Sequence, residues 1–180
     1  MDTRTVVSCL PFAGFGDQLS VASPSSPFAA ELVESLNDPT GCRHTMGNVL
    51  SWLTDIRARR QLVQQRVPLY WVEEDGWVRN DESIRHRSGR YFEVIGVDVK
   101  AGNREVQSWA QPLVAPGGVG LLAFVTKVID GRRHALVQAR MDAGSLNGAE
   151  MAPTVHCTPD NYKDEPPEHR PPFLDYVLAA

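Results

Sequence analysis

Apolar and polar positions alternate most cleanly between His134 and Asp142. Ala135, Val137, Ala139 and Met141 fall on one side of an expected strand, and His134, Leu136, Gln138, Arg140 and Asp142 on the other. An imidazole, an amide, a guanidinium and a carboxylate on one side read as the wall of a polar cavity. An edge strand followed by a capped turn is the plainer alternative. A Gly-Ser-Leu-Asn-Gly loop then leads to Pro153-Thr-Val-His-Cys-Thr-Pro-Asp-Asn-Tyr162, a short apolar core interrupted by hydrogen-bonding side chains.

Upstream, the first 25 residues mix apolar patches with Gly, Pro and Ser and are expected to form an arm. Ser26-Pro27 offers an N-cap followed by Pro at the first helical position, opening a helix over Phe28–Asn37 that Asp38-Pro39-Thr40-Gly41 stops. A longer helix is expected from about Met46 to Gln65. Val49, Leu53, Ile56, Arg60, Val63 and Val67 mark its face at spacings of three and four, and Pro68 ends it. Its basic residues Arg57, Arg59, Arg60 and Arg66 read as a solvated face or, less simply, as ligand contacts. Trp52 and Trp71 read as core anchors that could also line a pocket.

From Leu69 the pattern turns to strands. Leu69–Val72 is a β-rich run with a short return at Trp77-Val78, and Ser83–Gly89 is a polar segment. Tyr91–Val99, Arg104–Val114 and a long buried Val119–Ile129 follow. Asp130-Gly131 is a hairpin turn, because a two-residue connection needs positive φ at both positions. Asp164–Pro172 is an extended Pro-rich tail ending in apolar Phe173–Leu178, which docks on the body or on a neighbour. The expected architecture is α+β: N-terminal helices before a curved, largely antiparallel sheet. The expected division is an arm (1–25), one module (26–163) and a tail (164–180).

Composition narrows the function classes. With 42% apolar and 22% charged residues the chain is ordinary for a globular protein, which excludes disordered and collagen-like classes. A net charge of −4 with scattered basic residues argues against nucleic acid, though not against a phosphate-bearing small molecule. Three cysteines, Cys9, Cys42 and Cys157, far apart and odd in number, suit a reducing cytoplasm rather than a disulfide framework or a zinc knuckle. No apolar run reaches the roughly 20 residues of a membrane span, and the start is too weakly charged for a signal peptide. Dinucleotide, phosphate-loop, nucleophile-elbow and His-Glu-x-x-His motifs are absent, and His86, His134 and His156 lack metal-ligand spacing. No metal and no redox cofactor is expected.

Four blocks then stand in a characteristic order: Ile84-Arg-His-Arg-Ser-Gly-Arg-Tyr-Phe92, Trp109-Ala-Gln-Pro-Leu113, His134-Ala-Leu-Val-Gln-Ala-Arg140 and Pro153-Thr-Val-His-Cys-Thr-Pro-Asp-Asn-Tyr162. With the helix carrying Trp52-Leu53 they resemble the NDP-hexose 2,3-dehydratases of antibiotic deoxysugar pathways, over about residues 48–162. The resemblance implies a Nudix-like fold lacking the Nudix metal-binding box. It also implies loss of water across C2 and C3 of a dTDP-4-keto-6-deoxyhexose without a redox cofactor. The chain departs from the family pattern at Asp142-Ala143-Gly144-Ser145, where Glu-Pro-Gly-Asn is usual, and at His156, where Gln is usual. Family chains usually carry two copies of the module, and this sequence has one. A non-sugar substrate, such as a polyketide-type β-hydroxy ketone handled by a dehydratase or cyclase, and a non-catalytic binding module therefore remain as alternatives.

Eliminating water from a β-hydroxy ketone needs a base for the proton α to the carbonyl, donors for the developing enolate and an acid for the leaving hydroxyl. His156 and His86 have ordinary pKa values suited to the proton transfers, and Tyr162 could donate to the enolate or the leaving group. Gln111, Gln138, Thr154 and Asn161 could orient hydroxyls, and Arg140 or Arg90 could meet a diphosphate. Trp109 and Asp142 complete the expected substrate contacts. Each also has a structural reading: a lone His on a strand is often a satisfied core residue, and Gln111 before Pro112 could simply bridge a bulge. A homodimer is expected, joined through the Phe173–Leu178 end and the apolar face of the first helix.

Overall fold

A computed structural model describes residues 4–8, 26–37, 41–103, 105–145 and 148–180. The expected helix stop at Asp38-Pro39-Thr40 and most of the expected arm lie outside these residues. The chain forms two compact units that interleave in sequence. One comprises residues 1–64, 122–156 and 171–180; the other comprises 65–121 and 157–170.

The first unit is built on β8 (Arg132–Met141), flanked by β1 (Arg4–Ser8) on one edge and, on the other, by β7 (Val125–Ile129) and then β9 (Ala149–Pro153), all antiparallel. The described part of the expected arm is a strand: Arg4 to Ser8 pair with Gln138 to His134. The Asp130-Gly131 hairpin forms as expected, with φ of 51° and 77°. Helix α1 (Pro27–Asn37) starts where Ser26 caps it, the Ser26 Oγ accepting from the Ala29 N–H at 3.2 Å. It docks on β8 through Ser35, whose buried Oγ accepts from the Arg133 N–H, and through the Arg133–Glu31 ion pair.

Helix α2 (Met46–Arg59) opens with a reciprocal capping box between Thr45 and Asn48. Its buried face is Val49, Leu53 and Ile56. Leu53 and Ile56 pack on Ala149, with Trp52, Ala139 and Met141 around them. Trp52 is thus a core residue. The helix ends one turn after Ile56, not at Gln65. Arg60 already has extended backbone, and Val63 is 76% exposed. A helical stripe persists only while a second surface covers it, and none of the described sheet covers the positions beyond Ile56.

The strand β6 (Leu121–Ala123), which pairs with β10 (Val155–Cys157), is separated from β7 by Phe124. The long buried strand expected over 119–129 is thus two strands, and Leu122 and Phe124 are exposed. The end of the chain closes as α4 (Leu174–Leu178), with Leu174 buried.

In the second unit, residues 69–74 form helix α3 (Leu69–Glu74) rather than a strand. Six apolar-rich residues are ambiguous by periodicity. Pro68 fixes the entry, and Gly76, at φ 92°, returns its N–H to the Glu73 carbonyl to close the helix. Trp71 is exposed there and anchors no core. The sheet runs β2 (Trp77–Arg79), β3 (Ser83–His86), β4 (Phe92–Lys100) and β5 (Ser108–Pro116), each antiparallel to the next. The segment read as merely polar supplies β3, because the Asn80 side chain accepts from the Glu82 and Ser83 N–H groups and turns the chain back. A 3₁₀ turn over Pro159–Asn161 precedes the expected extended tail, and a second over Pro167–His169 interrupts it. The architecture is α+β with few helices and antiparallel sheets.

Truncating Ile56, 1% exposed at the α2–β9 contact, to Ala should lower unfolding free energy by about 2–5 kcal/mol. The same change at exposed Val63 should cost well under about 1 kcal/mol. Paired urea titrations check the contrast.

Candidate active site

Strand β8 separates two environments by its alternation. Ala139 and Met141 turn to the α2 core, and Arg140 and Asp142 line a cavity of about 180 Å³ together with Ser145, Glu150, Leu122 and His156. All of these residues belong to the first unit. Arg140 faces Glu150 across the β8–β9 ladder. Its Nε donates to the Asp142 carboxylate and its Nη1 to the His156 carbonyl, which leaves Nη2 with no hydrogen bond to a described residue.

The His156 ring makes no hydrogen bond to a described residue and borders the cavity. Burial holds its pKa below the ordinary histidine value, and the Arg140 charge lowers it further, against an upward pull from Asp142. The imidazole is therefore neutral at neutral pH, with one nitrogen able to accept a proton and the other able to donate one.

Gln138 and Thr154 stand beside the cavity but are used by the backbone. The Gln138 amide donates to the Pro153 and Thr154 carbonyls at 3.0 and 3.3 Å. The buried Thr154 hydroxyl accepts from the Val125 N–H at 2.9 Å and donates to the Leu136 carbonyl. His134, on the polar side of the sequence pattern, is buried. Its Nε2 accepts from the Arg43 N–H, so Nδ1 carries the proton toward the Arg132 carbonyl.

The other expected residues belong to the second unit. The His86 Nδ1 accepts from the Ser88 N–H and meets the Ser88 hydroxyl at 2.6 Å, which leaves Nε2 to donate to the Asp75 carbonyl at 3.0 Å. Its ring stands edge-on to Trp77 and Tyr91. Arg90 spends both terminal nitrogens on Asp164 and Glu165, at 2.8 and 2.9 Å, and these carboxylates raise its pKa. The Asn161 Oδ1 accepts from the Tyr91 N–H at 2.9 Å. Trp109 Nε1 donates to Gln111 Oε1 at 2.6 Å on β5. Tyr162 closes the 3₁₀ turn over Pro159–Asn161 through its main chain. Among the described residues, no three His, Cys, Asp or Glu side chains gather as metal ligands, and no helix is long and apolar enough to cross a membrane. Ser145 and Glu150 are cavity residues that sequence reasoning missed. The alternating pattern ends at Asp142, and only the pairing of β9 with β8 brings Glu150 opposite Arg140.

In an NMR titration His156 should protonate below the ordinary value of about 6.5. Arg140→Gln should raise its midpoint by removing a like charge, and Asp142→Asn should lower it by removing an attractive one. Shifts of the same sign in both variants would contradict this account.

Residues 46–180 match the family model described as NDP-hexose 2,3-dehydratase. Over all 180 residues the chain is 43% identical to a dTDP-4-dehydro-6-deoxy-alpha-D-glucopyranose 2,3-dehydratase of Saccharopolyspora spinosa and 42% identical to a protein of the same name from Amycolatopsis orientalis. It is 48% identical over 139 residues, 76% of the chain, to another of that name from Streptomyces violaceoruber. These alignments cover 36%, 33% and 30% of the three proteins, so the chain spans about a third of the length of the curated relatives it matches. With three-quarters of its length under the family model, and with sequence blocks that already resembled the family, the chain belongs to the NDP-hexose 2,3-dehydratases.

Proposed function

We propose that this chain is a hydro-lyase that removes water across C2 and C3 of a dTDP-4-keto-6-deoxyhexose in natural-product biosynthesis. On this reading residues 26–163 form the working module, with a Nudix-like scaffold and a cytoplasmic setting. One observation carries the reading. Of the three histidines that sequence reasoning weighed, His86 and His134 have both ring nitrogens occupied, whereas His156 is neutral, uncommitted and at a cavity with a guanidinium. His156 carries the proton lost from the carbon α to the ketone onward to the departing hydroxyl. The Arg140 Nη2 group donates to the oxygen where negative charge develops, and Asp142 fixes that guanidinium in place. Gln138 and Thr154 shape the wall, and Arg90, Trp109, Gln111, Asn161 and Tyr162, which belong to the second unit, are assigned no part at this cavity. The elimination is redox-neutral and needs no nicotinamide, and the proposal routes no step through a metal.

Incubated with dTDP-4-keto-6-deoxyglucose and a chelator, the full chain should yield a product lighter by one water in mass spectrometry. His156→Gln should slow the reaction by about 10²–10⁴-fold. Unchanged starting sugar with the unaltered chain would refute the activity, and undiminished turnover by the variant would refute the role of His156.

The active form proposed is a homodimer. The docking of α1 on β8 already uses part of its surface, including Arg133 stacked 4.7 Å from the Phe28 ring. The tail keeps Phe173, Tyr176 and Leu178 exposed beside buried Leu174, an apolar patch suited to a two-fold contact. Light scattering at micromolar concentration should give twice the chain mass, and deletion after Pro172 should return it to one. A monomeric full chain rejects the dimer, and a dimer that survives deletion moves the interface elsewhere.

A further inference from the structure

We propose that Glu150 is a catalytic residue of this cavity, the base that takes the proton α to the substrate ketone. The inference rests on the dehydratase reading given above and adds a group to it. Three observations converge on Glu150. It lines the same cavity as His156 and Arg140. It lies directly across the β8–β9 ladder from Arg140, where opposed side chains stand about 4.5–5.5 Å apart at Cβ. Yet Arg140 does not bond to it: the guanidinium turns to Asp142 along its own strand and to the His156 carbonyl. Of the two carboxylates at the cavity, Asp142 is the one compensated by an ion pair, and Glu150 has none among the described residues.

This division suits an elimination. An uncompensated carboxylate on a rigid strand is an effective acceptor for a carbon acid next to a carbonyl, and the charge passing to the enolate oxygen is met by the nearby guanidinium. The step balances without an outside reagent. The α C–H proton moves to Glu150, its electron pair becomes the C=C bond, and the β C–O bond breaks. The departing oxygen leaves as water with a proton from one nitrogen of the His156 ring, while the other nitrogen takes up the proton held on Glu150. Asp142 keeps Arg140 aimed throughout. The ionisable groups that face the transfer are Arg140, Asp142, Glu150 and His156.

The full chain is incubated with dTDP-4-keto-6-deoxyglucose in deuterated water, and deuterium entry at the α carbon is followed separately from water loss. Glu150→Gln should slow both by at least about 10²-fold, with the thermal melting midpoint little changed. His156→Gln should slow water loss more than deuterium entry, because it leaves the base in place. Glu150→Asp, shorter but still a carboxylate, should retain a measurable part of the exchange, and it decides the matter if the Gln variant does not fold. Exchange at the unaltered rate in a folded Glu150→Gln chain, or in Glu150→Asp together with Glu150→Ala, overturns the role of Glu150 while leaving the dehydratase reading intact. Absence of both exchange and water loss in the unaltered chain overturns the two together.

Discussion

The Thr154 hydroxyl sits between β9 and β10 and is buried. It accepts a hydrogen bond from Val125 at the start of β7 and donates one to Leu136 in the middle of β8. A hydroxyl can do both at once, which an apolar residue of the same size could not. Its two bonds, with the Gln138 amide on the adjoining carbonyls, set where β9 stops following β8. One residue later Val155 is fully buried, and the next, His156, comes to the cavity with its carbonyl under Arg140. From Leu136 back to Arg132 that edge of β8 belongs to β7, so β9 leaves the ladder after Val137, and the clamp fixes the backbone at the point of departure. The position of the imidazole therefore follows from a buried polar clamp at the strand junction. An unsatisfied hydroxyl at this depth would cost about 1–3 kcal/mol, so the clamp is also a strong local constraint.

The second unit relies on a comparable device. Tyr91 has φ 72°, a left-handed backbone that a bulky residue adopts only under compulsion. Its N–H is held by the Asn161 side chain and its carbonyl by the Gly117 N–H at 2.9 Å. A Cβ at Gly117 would come within 2.5 Å of that carbonyl, so only glycine permits the approach. The turned backbone sets Tyr91 against Trp77 and His86, while Phe92 tilts against Trp77 from the start of β4. His86 is part of this aromatic packing, and that is why its ring nitrogens are tied to Ser88 and Asp75.

How much of this was legible in the sequence depends on the range of the deciding interaction. The Ser26 cap and the Asp130-Gly131 turn are local, and both could be read from adjacent residues. The β8 alternation was legible too, because Ala139 and Met141 face the core, although Gln138 and His134 on the polar side proved to be structural. The end of α2 was not legible. The stripe through Val63 and Val67 continues in sequence, but burial depends on whether a distant strand passes beneath it. Residues 69–74 failed for a related reason: six residues carry too little periodicity to separate a strand from a helix, and the closing contact comes from Gly76 outside the run. In the site, Glu150 was invisible because its place opposite Arg140 is a matter of strand register.

A polar residue type by itself says little about where chemistry happens in this molecule. Asn161, Gln138, Thr154 and Arg90 were all reasonable candidates for holding hydroxyls or phosphate, and each is already joined to main chain or to a neighbouring carboxylate. To engage a ligand, each would first have to give up that partner, and for the buried ones the orphaned group is costly. The groups that can meet a ligand without such a loss are those whose hydrogen-bonding capacity the fold has not consumed. At the cavity these are the Arg140 Nη2 group, the His156 ring and the Glu150 carboxylate. Together they amount to one donor of fixed positive charge, one neutral proton carrier and one anion. That combination suits a reaction in which a proton leaves carbon, charge gathers on an adjacent oxygen and a hydroxyl departs.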